Sequence, residues 1–194
     1  MGESQKHGFE FQQNVFQLKI ETILENININ YTNKWDVPPI SIKSFNFLSQ
    51  TIEFGSIERI FKNTEDFILV LIGYEQQSDV KSVIFSDCIL ITNQHLQQLK
   101  GSLAINAVNE LNEKLKSFKI GLHEEARSFA KQQKQIYNKQ TIFDIRFKID
   151  SKNQRRIQCA LNLKTLYKTI EKELKIENKL KLQNITSGVR KRNN

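Results

Sequence analysis

Asp36 and Lys43 stand on either side of a Val37-Pro38-Pro39 break, in the string YTNKWDVPPISIKSF of residues 31–45. Proline lacks the N–H of a β-ladder, so a regular element stops there and two strands meet around the break. From Ile40 to Phe45 apolar and polar residues alternate, as in a half-buried strand, which sends Ser41 and Lys43 to one face and Ile40 and Ile42 to the core. If the strand carrying Asp36 lies beside the strand carrying Lys43, a carboxylate and an ammonium meet at one end of a sheet. Phosphodiester hydrolysis uses such a pair. The carboxylate fixes Mg²⁺, which polarises the phosphate and lowers the pKa of a water, while the lysine supports the attacking water or the developing charge. Singly, each residue has a plainer reading: an acid ahead of Val-Pro-Pro suits a turn, and a lone lysine on a strand is more often solvated.

A second set lies near the other end of the chain. Lys152, Asn153, Gln154, Arg155, Arg156 and Gln158 are its densest group of base-reading side chains. Arg can grip guanine, and Asn or Gln can grip adenine, each through two bonds in the major groove; Lys serves mainly phosphates. The bland alternative is a basic turn leading into a helix. Charge favours the first reading: residues 151–194 carry 12 Lys/Arg against 3 Glu, a net of +9, on a body of −1, within a total of +8. A basic end on a near-neutral body is the distribution expected of a protein that lays one part along phosphates. Arg127, Lys131 and Lys134 share a helical stripe that fits either a second backbone contact or a solvated face.

Other chemistries find little support. His7, His95 and His123 lie outside any HxxxH-like spacing and read as surface or packing residues. Cys88 and Cys159 belong to no CxxC or Cys/His cluster, which leaves zinc and disulfide frameworks without a basis and makes a reducing, cytoplasmic compartment the expectation. There is no P-loop, GxGxxG or GxSxG string, and Glu124-Glu125 suits a solvated helix face. The opening MGESQKHGFEFQ lacks the apolar core of a signal peptide, and no apolar run approaches the roughly 20 residues of a membrane span. No membrane partner is expected.

The elements that would position these residues can be read from periodicity. Residues 9–25 have apolar positions spaced by three and four, as in a helix with one buried face. Residues 51–63 resemble a strand end and a short helix, with Gly55 as the turn and Ser56 as N-cap. The apolar runs 67–74 and 83–91 suit central strands joined by a polar hairpin turn at 76–81. From Thr92 onward, Leu96, Leu99, Leu103, Ile105, Val108, Leu111, Leu115 and Phe118 keep helical spacing, with Gly101 as a break. Residues 124–138 predict a polar helix, 141–149 a strand, 150–153 a turn, and 157–182 a long basic amphipathic helix or helix pair before a mobile tail. With 194 residues and 39% hydrophobic composition, the expectation is one α/β domain: a mixed sheet of four to six strands flanked by helices, with 151–194 as a basic, DNA-contacting segment.

The pattern D-x4-SIK, following a helix introduced by KHGFEF, resembles the PD-(D/E)XK nuclease pattern of small type II restriction endonucleases. The string FKIDSKNQRRIQCAL, residues 147–161, is also similar to a segment of those enzymes. The resemblance implies a restriction-endonuclease-like fold, Mg²⁺-dependent cutting of double-stranded DNA, and a homodimer, with Asp36 as the metal-binding acid and Lys43 as the catalytic lysine. The chain departs from the pattern where the acid two residues before the lysine is expected: Ser41 stands there, able to ligate weakly or hold a metal-bound water but bringing no charge. The missing carboxylate must come from elsewhere. Glu10 on the first helix is the first substitute and Glu53, after the strand, the second; Gln12 occupies the place where a helix-one glutamate would be sought. Two other expectations compete: an inactive relative that only holds nucleic acid, and a structural or RNA-associated basic protein in which Asp36 and Lys43 are incidental.

Overall fold

A computed structural model describes residues 39–77, 80–118, 121–149 and 155–174. The expected helix over residues 9–25, with Glu10, and Asp36, the turn residues Lys152, Asn153 and Gln154, and the basic tail lie outside the described residues. The described chain divides into two compact units.

The first unit holds three strands: β1 (Ile40–Asn46), β3 (Phe67–Gln77) and β4 (Val80–Ile91). Their order is β1-β3-β4, with β1 parallel and β4 antiparallel to β3. Phe67 to Ile72 are all buried, as a run of consecutive apolar residues requires when both faces of a central strand are covered. The hairpin turn is shorter than residues 76–81 suggest, because pairing continues to Gln77 and Val80. Register places Phe45, Gly73 and Phe85 in one row across the sheet. The missing side chain of Gly73 makes room for the rings: a Cβ there would lie 2.8 Å from Phe47 Cδ2 and 3.0 Å from Phe85 Cβ. Phe47 and Phe85 stack with centroids 5.6 Å apart, and Phe45 meets Phe85 edge-on at 6.1 Å.

The second unit holds β2 (Thr51–Ser56) from Ile52 onward, β5 (Asp144–Ile149), β6 (Arg155–Asn162) and the five described helices: α1 (Ile57–Lys62), α2 (Asn93–Lys100), α3 (Ile105–Ser117), α4 (His123–Tyr137) and α5 (Leu163–Thr169). The strand order is β2-β6-β5, and β5 and β6 are antiparallel. Among the described residues, the single mixed sheet expected from the sequence is instead two three-stranded sheets. The physical reason is where the apolar residues of β2 find partners: Phe54 packs edge-on against Phe143 at 5.5 Å, and Phe61 of α1 meets the same ring at 6.2 Å.

The strand-to-helix step falls at Gly55 and Ser56 as expected, though Ser56 makes no side-chain cap bond; Gly55 takes φ +86°, a conformation that favours glycine, and α1 follows. Helix α2 begins with a reciprocal capping box. Thr92 Oγ1 accepts from His95 N at 3.2 Å, and His95 Nδ1 accepts from Thr92 N at 3.3 Å. Helix α3 buries Val108, Leu111, Asn112 and Leu115, the face that its three-four spacing defines.

The largest departure lies in residues 157–182, where a helix is expected and the chain first forms β6. Arg155, Ile157, Cys159 and Leu161 are buried while Arg156 and Asn162 are exposed, a period of two rather than 3.6. The helix starts only at Leu163, where Asn162 Oδ1 accepts from Lys164 N at 3.0 Å and Thr165 N at 3.4 Å.

Candidate functional site

Ser41 and Lys43 lie on β1, two residues apart and so on one face, as the alternation predicts. Ile40, Ser41, Ile42 and Lys43 are all half-buried, so the contrast between a core side and a solvent side is weaker than the sequence suggests. Lys43 is in register with Leu71 of β3, and Leu71 with Asp87 of β4. Lys43, Leu71 and Asp87 thus form one row of one sheet face, between the Phe45-Gly73-Phe85 row and the Ser41-Leu69-Ile89 row. Asp87 is buried, 5% exposed, and its Oδ1 accepts from the Cys88 backbone N at 2.9 Å. Sequence reasoning passed over Asp87. The signal available was a carboxylate inside an otherwise apolar run, which must be compensated to be buried at all.

The second unit carries the polar surface. Strand alternation sends Ile145, Phe147, Ile157 and Cys159 to the helix-covered side of the β5–β6 hairpin, and Asp144, Arg146, Lys148, Arg156 and Gln158 to the other. At the centre of that outward face Arg146 is held from two sides. Its Nε donates to Asp144 Oδ2 at 2.8 Å, and its Nη1 pairs with Glu53 Oε1 from β2. Lys134 of α4 reaches Asp144 Oδ1 at 2.8 Å, and Asn138 Nδ2 donates to the same oxygen at 3.2 Å. Partial burial works against the Asp144 charge, but the bonds from Lys134, Arg146 and Asn138 outweigh it and hold the carboxyl below its ordinary value. The Arg146 guanidinium is pushed up, first by its bond to Asp144.

This network assigns Glu53 a partner. Its carboxylate is engaged by Arg146 in the second unit, which does not suit the substitute metal ligand expected of it. Arg155 also departs from its expected place. It is 9% exposed and on the inward side, with Nη2 3.1 Å from His123 Nδ1 at the start of α4, so it braces the hairpin against that helix rather than reaching outward. Arg156 and Gln158 face outward as a base- or phosphate-contacting pair would, with Arg156 exposed and Gln158 half-buried. Lys148, opposite Arg156 on β5 and exposed, shares their face and was not singled out from the sequence.

Among the described residues, no three or more His, Cys, Asp or Glu side chains are grouped so as to hold a metal ion, and Glu53 is taken by Arg146. Asp36 and Glu10, the other carboxylates expected to serve, lie outside the described residues. Among the described residues no helix is long and apolar enough to cross a membrane. No family model matches the chain, and neither a curated protein nor a solved structure matches it.

Proposed function

We propose that this chain is a type II site-specific deoxyribonuclease, hydrolysing phosphodiester bonds of double-stranded DNA as a homodimer that uses Mg²⁺. The observation that carries the proposal is the row joining Lys43 to the buried Asp87 across Leu71. A half-buried lysine on a sheet strand is suited to stabilise negative charge developing on a phosphoryl oxygen, because fixed donors in a partly dry site need no reorganisation during reaction. A carboxylate on the same row balances that cation between turnovers. Asp36 is the carboxylate this reading assigns to the metal, and the outward face of β5–β6 is the part assigned to grip DNA.

Purified protein with Mg²⁺ is expected to give discrete fragments from plasmid DNA, and none after chelation. Asp36→Ala and Lys43→Ala should abolish the fragments. Asp87→Asn, which keeps shape and removes charge, should slow cutting about tenfold or more, about 1.4 kcal/mol of barrier, with circular dichroism reporting the native fold. Smeared products, or no cutting with any divalent metal, would remove the catalytic half of the proposal.

One specific observation favours a second reading, an inactive relative that only binds nucleic acid: Ser41 occupies the neighbouring row of the same face as Lys43, where an acid is expected. In that case salt-dependent DNA binding persists while cleavage is absent with every metal.

A further inference from the structure

We propose that Lys148 and Arg156 form a phosphate site for the backbone of duplex DNA at the turn end of the β5–β6 hairpin. The role rests on the DNA-cleaving reading above and adds to it a residue, Lys148, from outside the basic cluster that the sequence picks out.

Lys148 and Arg156 are register partners in an antiparallel pair, so their Cβ atoms stand about 4.5–5.5 Å apart on one face. Both are exposed. Like charges directly opposed weaken a hairpin, and an anion lying between them would relieve that repulsion. The rest of the face sharpens the contrast. Arg146 is balanced by Asp144 and Glu53, and Lys134 by Asp144, whereas among the described residues neither Lys148 nor Arg156 makes an ion pair. Among the described residues the face therefore has a neutralised centre and a cationic end without an ion pair.

That end suits a phosphodiester. The Arg156 guanidinium can donate two parallel N–H bonds to phosphate oxygens, and the Lys148 ammonium supplies a point charge beside it. Gln158 follows Arg156 one pleat along on the same face and offers an amide to a base edge. A polyanion fits better than a single carboxylate, since the chain continues from this hairpin into residues that carry most of the net +9 of residues 151–194. Arg155, turned inward to His123, fixes the hairpin and does not join the site.

The test is fluorescence anisotropy of the full chain with a short labelled DNA duplex, titrated over a series of salt concentrations. Lys148→Gln and Arg156→Gln are each expected to weaken binding and to reduce the slope of log K against log salt by about 0.9 per protomer, about 1.8 for a homodimer on one duplex, and the double variant by about twice that. Lys148→Arg should keep the wild-type slope. Lys114→Gln, an exposed charge-matched control on α3, should change neither quantity. A double variant with wild-type affinity and slope, or a control that loses as much, overturns the inference while leaving DNA cleavage to stand. A wild-type protein that binds duplex through this pair but never cuts retains the inference and removes the catalytic reading. A wild-type protein that binds no duplex overturns both.

Discussion

Gly101 ends α2 with φ +63° and ψ −136°, a backbone conformation that residues bearing a Cβ adopt at a cost of about 1–3 kcal/mol. Space is also lacking, because a Cβ there would stand 2.3 Å from the carbonyl oxygen of Gln140, which already accepts from Ser102 N at 2.9 Å. Gly101→Ala is therefore expected to lower the melting temperature by roughly 2–4 °C for each kcal/mol lost. Thermal unfolding measures it, and an unchanged midpoint would contradict the geometry. At this scale the sequence was informative where a residue's type dictates its backbone: the break at Gly101 and the turn at Gly55 were both legible. It was uninformative about partners. Nothing local to Glu53 foretells Arg146, which lies on another strand, and nothing local to Arg155 foretells His123.

Elements were legible where one period dominated. The apolar runs that became β3 and β4, and the three-four spacing of α3, dictate their own burial. The strand β6 was not legible, because RRIQCALN followed by LKTLYKT also meets a helical template, and the Asn162 cap that separates the two halves reads as an ordinary polar residue. Pairing with β5 on one side and β2 on the other decided the outcome.

The passage from α4 into β5 gives Asp144 its partners Lys134, Asn138 and Arg146, with a consequence in acid. Its folded carboxyl is held below the ordinary value of 3.8, so the unfolded chain binds the proton more readily. The stabilisation is complete above that ordinary value and is lost as pH falls through the lower, folded one. Asp144→Asn should accordingly destabilise the protein near neutral pH, with the gap closing as pH drops below about 4. Asp144 is 38% exposed, so solvent screening limits each ion pair to about 1 kcal/mol or less. Urea unfolding across a pH series compares the two proteins. A gap that stays constant in acid would show that Asp144 acts through packing alone.

At the scale of the molecule, the two functions proposed stand on different units: Lys43 and Asp87 on the first sheet, Lys148 and Arg156 on the second. The sequence hinted at this in its charge, near-neutral through residue 150 and strongly basic beyond it, though Lys148 belongs to the near-neutral part and only strand pairing brings it to Arg156. Binding a polyanion sums many distant, screened attractions, whereas cutting depends on a few groups at the reacting phosphate. The two should separate under mutation. Lys43→Ala is expected to keep the wild-type salt slope of duplex binding, unlike Lys148→Gln or Arg156→Gln, while abolishing cleavage. Replacing Lys148 and Arg156 together should raise KM much more than it lowers kcat, because these contacts are made equally in the bound substrate and the transition state. Steady-state cleavage at low salt distinguishes the patterns. If kcat fell as far as KM rose, the hairpin would be contributing to the reacting geometry itself, and the division of labour between the two sheets would have to be abandoned.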